Sequence, residues 1–117
     1  MEGSDFSATV ENINLFLLEY KNCLVSGVEF VPRTYEGITN LGLDIELAKD
    51  ELFTLTYHNY DRGPTKDRNG DNTDIWEFGK LIDDELVYIK IKIQNRKCKV
   101  LSFKKSDGPF TLPYKNW

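Results

Sequence analysis

Two cysteines, one histidine and one methionine in 117 residues leave little material for soft-metal or thiol chemistry. Cys23 and Cys98 lie far apart and form no C-x-x-C pair, which argues against a zinc ribbon or a thioredoxin-like redox site. Two reduced, partly buried thiols in a cytosolic protein are expected instead. With His58 as the one imidazole, neither a histidine-rich metal site nor a Ser-His-Asp triad is expected, and no cofactor or metal is implied. Long apolar runs are missing too. The longest, Leu15-Phe16-Leu17-Leu18, is too short to cross a bilayer, and the acidic start Met-Glu-Gly-Ser-Asp does not read as a secretory signal. The expectation is a soluble, cytoplasmic protein with no membrane partner.

What is present suits one domain over residues 1–117. A 40 % hydrophobic fraction supplies a core and 29 % charged residues a solvated surface. The formal net charge of −4 hides an asymmetry. Residues 1–61 hold three basic residues (Lys21, Arg33, Lys49) against eleven acidic ones, whereas residues 62–117 hold twelve against eight. Lys90, Lys92, Arg96, Lys97, Lys99, Lys104 and Lys105 crowd into one stretch. Within a Debye length of about 8 Å such a patch attracts phosphate whatever the net charge. Lysines guarding the edge of a sheet would give the same pattern.

Val10, Ile13, Leu17, Tyr20 and Leu24 recur at three- and four-residue steps, which predicts an amphipathic helix over 7–25, capped by Ser7 and stopped by Gly27. Val28-Glu29-Phe30-Val31 reads as extended. A second helix is predicted from Thr34 to Gly42, and a third after the N-cap Asp44. His58 follows this third helix and reads as its C-terminal cap more readily than as a proton carrier. A polar loop is predicted from Gly63 to Thr73. Its Asp67-Arg68-Asn69-Gly70-Asp71 run is a poor calcium loop, because position twelve is Phe78 and not Glu.

Beyond the loop the period changes to two. Val87, Ile89, Ile91 and Ile93 alternate with Tyr88, Lys90, Lys92 and Gln94, a half-buried strand ending at the turn Asn95-Arg96. Strands over Ile75–Gly79 and Lys99–Lys104 flank it, the first with Trp76 and Phe78 inward, the second with Leu101 and Phe103 inward and Val100, Ser102 and Lys104 outward. The tail, residues 106–117, holds two prolines and is expected to lie extended across the domain. Helices followed by antiparallel strands predict an α+β fold, with the N-terminal helices on one face of an antiparallel sheet.

The other face then presents Glu77, Tyr88, Lys90 and Lys104, with Arg62 at the mouth of the loop. These are the groups that cleavage of RNA through its own 2′-hydroxyl requires: a base, cations for the charged phosphorane and an acid for the leaving 5′-oxygen. Any open antiparallel sheet face is also polar, so spacing alone does not separate the two readings.

Leu41-Gly42-Leu43-Asp44, Tyr60-Asp61-Arg62-Gly63-Pro64, Asp74-Ile75-Trp76-Glu77, Val87-Tyr88-Ile89-Lys90-Ile91 and Val100-Leu101-Ser102-Phe103-Lys104, in this order and spacing, resemble the MqsR (motility quorum-sensing regulator) family of toxin–antitoxin ribonucleases. The likeness runs from about Val28 to Lys104. It implies a RelE-like fold and an mRNA interferase, with mRNA as substrate, a cognate antitoxin protein as partner and the ribosome as a further one. The catalytic positions it implies are Arg62, Tyr88, Lys104 and Glu77, the last standing where the family has glutamine. RNA binding is expected at Tyr60, Lys90, Lys92, Ser102 and Lys105. An acidic pI near 5.0 and Glu77 favour the alternative, a non-catalytic RNA- or protein-binding module with a regulatory or phage-defence role.

Overall fold

The structure is a computed structural model and describes residues 7–117. Helix α1 spans Val10–Ser26. Thr9, and not the expected Ser7, caps it: the Thr9 hydroxyl accepts the Asn12 N–H at 3.1 Å, satisfying one free donor of the first turn. Gly27 ends the helix as expected, and Ile13, Leu17, Tyr20 and Leu24 form its buried stripe. Each such burial contributes about 1.5–3 kcal/mol. Strand β1 (Val28–Phe30) leads to helix α2 (Thr34–Asn40) and helix α3 (Ile45–Phe53). Asp44 caps α3 by accepting the Leu47 N–H at 2.9 Å. A 3₁₀ turn, Tyr57–Asn59, precedes β2 (Tyr60–Lys66), β3 (Asp74–Ile82), β4 (Glu85–Gln94) and β5 (Lys97–Lys105).

The fold is α+β, and its sheet is larger than the three strands expected. Five strands lie in the order β1-β5-β4-β3-β2. The four from β2 to β5 are antiparallel, but β1 runs parallel to β5, so the sheet is mixed. Strand β2 occupies the first part of the segment read as loop, and only the residues beyond Lys66 lie outside regular structure. Its pattern hid it: Tyr60 faces the core, while Arg62, Thr65 and Lys66 on this edge strand are exposed. The turns into and out of β4 are two-residue ones with positive φ at Asp83 (50°) and Asp84 (65°), and at Asn95 (53°) and Arg96 (64°). That geometry matches the twist of the strands it joins.

One core lies between the helices and the inner sheet face. Trp76 and Phe78 of β3, Val87, Ile89 and Ile91 of β4, and Cys98, Val100 and Phe103 of β5 meet the α1 stripe, Ile38, Ala48 and Leu52. Two expected orientations on β5 are reversed. Ser102 opposes Lys90 and Val100 opposes Ile91, so Leu101 is an extra residue with no partner. This bulge turns Val100 into the core and leaves Leu101 outside the main cluster. Arg33 Nε donates to the Leu101 carbonyl at 2.7 Å. Helix α2 lies tight against the same strand, because a Cβ on Gly37 would collide with the Phe103 carbonyl. Among the described residues no helix is long and apolar enough to cross a membrane.

Candidate functional site

Strand register builds the open face row by row. Arg62 opposes Glu77, Glu77 opposes Lys90, and Lys90 opposes Ser102, which places one residue from each of four strands in a line. The next row is Gly79, Tyr88 and Lys104. Directly opposed side chains on one face have Cβ atoms about 4.5–5.5 Å apart. Glu77, Tyr88, Lys90, Ser102 and Lys104, expected on this face, therefore share it, and Arg62, expected at the mouth of the loop, joins them.

The Tyr88 hydroxyl donates to Glu77 Oε1 at 2.6 Å, a length typical of an O–H bond to an ionised acceptor. Burial, then the Glu77 hydrogen bond and charge, push the Tyr88 phenol well above its ordinary value, with Arg62 opposing them. Tyr88 thus stays protonated at neutral pH. Arg62 Nε lies 3.3 Å from Asp61 Oδ2, and Lys104 Nζ lies 3.8 Å from Asp107. Half-buried Lys90 has no ion pair among the described residues.

Arg62, Glu77, Tyr88 and Lys104 line one cavity of ≈ 290 Å³. A second cavity of ≈ 980 Å³, between α2 and the end of β5, shares Tyr88 and Lys104 with it. The second adds Lys90 and Ser102 from the sheet and Arg33, Glu36 and Asn40 from the α2 side. The two make a groove over the open face in which a carboxylate, a neutral phenol and several cations converge.

Two expected RNA-binding residues, Tyr60 and Lys92, are buried away from the groove. Tyr60 pairs with Phe78 and faces the core. It is fully buried, its hydroxyl accepts the Ala8 N–H at 3.0 Å and donates to the Gly63 carbonyl at 2.5 Å, and its ring meets Trp76 and Phe78 edge-on. Lys92 has the right parity but is buried: its Nζ contacts Asp67 at 2.7 Å and Asp71 at 3.3 Å. The Lys92 hydrogen bond holds the Asp67 carboxyl below its ordinary range, and the Thr73 hydroxyl does the same for Asp71. The carboxylates that suggested a weak calcium loop are therefore engaged with a lysine. Lys105 opposes Val87 in register and pairs with Glu85 at 3.6 Å, yet its exposed side chain lines the larger cavity at the end of β5. His58 is neither the α3 cap, a place taken by Thr54, nor part of the groove; its Nδ1 lies 2.9 Å from the Tyr114 carbonyl.

The tail and its anchor were not foreseen as part of the site. Asp61, with its side chain 2 % exposed, accepts the Thr111 N–H at 2.6 Å, the Thr111 hydroxyl at 2.9 Å and the Leu112 N–H at 3.1 Å, all on Oδ1. Tyr114 donates to the Ala8 carbonyl at 2.7 Å and Trp117 Nε1 to the His58 carbonyl at 2.9 Å. Beside the Asp61 anchor, Phe110 and Leu112 cover Gly79, where a Cβ would sit 2.9 Å from Phe110 Cε1. Residues 106–110 complete the wall of the smaller cavity. A signal existed: Gly79, amid apolar strand residues, marks close approach of another segment. Asp61 carried none.

Among the described residues no three His, Cys, Asp or Glu side chains gather to hold a metal ion. The chain matches no protein-family model, and comparison with curated proteins and with solved structures finds no match.

Proposed function

We propose that the chain is a RelE-like, MqsR-related mRNA interferase: an endoribonuclease toxin of a type II toxin–antitoxin system that cleaves single-stranded mRNA by attack of a ribose 2′-hydroxyl. The observation that carries this reading is the 2.6 Å Tyr88–Glu77 hydrogen bond in a cavity that Arg62 and Lys104 also line. Glu77 accepts the 2′-hydroxyl proton as the 2′-oxygen attacks phosphorus. Arg62 and Lys104, with Lys90 beside them, stabilise the charge that builds on the phosphorane. Tyr88 gives its proton to the departing 5′-oxygen. The P–O2′ bond forms, the P–O5′ bond breaks, and the products are a 2′,3′-cyclic phosphate and a 5′-hydroxyl. The proton on Glu77 then passes to the Tyr88 phenolate across the bond that joins them, which restores the starting state. In this scheme side-chain cations supply the charge that a metal supplies in other nucleases, and a cognate antitoxin protein would block the same groove.

Expressed alone in a bacterium, the protein should arrest growth, and purified protein should cut single-stranded RNA in EDTA to leave 5′-hydroxyl ends. Tyr88→Phe should slow cleavage by about 10²–10⁴-fold and relieve the arrest. Complete dependence on added Mg²⁺, or a harmless protein that cuts neither free nor ribosome-bound mRNA, would overturn the proposal. The second reading, a binding module, is favoured by Glu77 and the acidic pI and, in the structure, by the tail lying over part of the sheet face. RNA binding without cleavage would support it.

A further inference from the structure

The smaller cavity has two walls of different origin. One is the sheet, with Arg62, Glu77, Tyr88 and Lys104; the other is the tail segment from Ser106 to Phe110. The tail wall is a built feature. It is fixed beyond Phe110 by three hydrogen bonds to a single oxygen of Asp61, whose other oxygen faces Arg62. Gly79 leaves room for the Phe110 ring edge directly on the strand. Phe110 itself is half-buried, lines the cavity, and lies 6.3 Å from Tyr88 between ring centroids. A volume of ≈ 290 Å³ falls at the small end of ligand sites and suits one nucleotide, not a duplex. An aromatic ring beside two cations is the arrangement by which proteins hold a single-stranded nucleotide, with the base on the ring and the phosphate on the cations.

We propose that the tail segment Ser106–Phe110 and the sheet together form a one-nucleotide subsite, in which Phe110 stacks on the base adjoining the scissile phosphate. This deepens the ribonuclease reading and rests on it. Phe110→Leu keeps an apolar cover over Gly79 but removes the flat ring, and Phe110→Tyr keeps the ring. The test is the affinity of each variant for a short single-stranded 2′-O-methyl RNA, which cannot be cleaved, measured by fluorescence anisotropy, alongside cleavage of the matching unmodified RNA. Far-UV circular dichroism and thermal unfolding establish that each variant is folded. Phe110→Leu should bind about 5- to 150-fold more weakly, the range for loss of one base stack, whereas Phe110→Tyr should bind as the wild type does. If the wild type binds and cleaves but Phe110→Leu binds equally well, the subsite is overturned and the ribonuclease reading stands. Tighter binding by Phe110→Leu also overturns it, because the tail would then be a cover that excludes RNA. A wild type that neither binds nor cleaves RNA would sink both proposals.

Discussion

Tyr88 and Glu77 sit two residues apart in register on adjoining strands, so their hydrogen bond is diagonal across β3 and β4. Burial leads the causes that hold the phenol protonated and the carboxylate adds to them, which separates two contributions that one substitution can resolve. Glu77→Gln keeps an acceptor for Tyr88 but removes the charge and the proton acceptor. The Tyr88 phenol should then titrate at lower pH than in the wild type while staying above the ordinary value of 10.0, as tyrosinate absorbance would record. Cleavage should fall by about 10²–10⁴-fold if Glu77 is the base; an increase would mean that the carboxylate merely repels phosphate. The alternation of β4 made Tyr88 and Lys90 legible as open-face residues, and Trp76 and Phe78 placed Glu77 beside them. Tyr60 was misread because its neighbours Asp61 and Arg62 are polar, although its own strand position turns it inward.

Among the elements, the segment 67–73 is held by a lysine of another strand. The Lys92 side chain is only 3 % exposed, and its ammonium needs the carboxylates of Asp67 and Asp71, since an unpaired buried charge is costly. The folded-state pKa values of both aspartates are depressed from the ordinary 3.8. Their contribution to stability is therefore complete above the unfolded value and is lost as pH falls through the depressed folded ones. Between about pH 5 and pH 2 the unfolding midpoint of the wild type should drop more steeply than that of Asp67→Asn, which lacks one of these titrations; parallel curves would show that the ion pair does not anchor the segment. None of this was visible from parity, which correctly set Lys92 on the open face but could not show that a loop folds over it. The loop's composition announced exposure, and its carboxylates do stay near the surface; the buried partner lay twenty-five residues away in sequence.

At the scale of the molecule, the acidic first half supplies the helices and the basic second half supplies most of the open face. Helix, hairpin and overall α+β character were legible because each rests on local periodicity. The parallel pairing of β1 with β5, the edge strand β2 and the tail anchor were not, because they join residues far apart whose side chains carry no repeat. The same division predicts how RNA binding should respond to salt. Lys90→Ala and Lys104→Ala should each weaken binding and reduce the slope of log K against log salt by about 0.7 for each phosphate no longer neutralised. Lys49→Ala, on helix α3 and outside both cavities, should leave the slope unchanged; equal effects from all three would place the site elsewhere. The bulge at Leu101 has a consequence for the gene. A strand in strict alternation tolerates no in-frame loss of one codon, because every later side chain then changes sides. Such is β4, paired with β3 without interruption from Glu85 to Lys92. In β5 the codon for Leu101 is a spare: without it Val100 and Phe103 would still face inward and Ser102 and Lys104 outward, so two neighbouring strands of one sheet differ in how much length variation they can inherit.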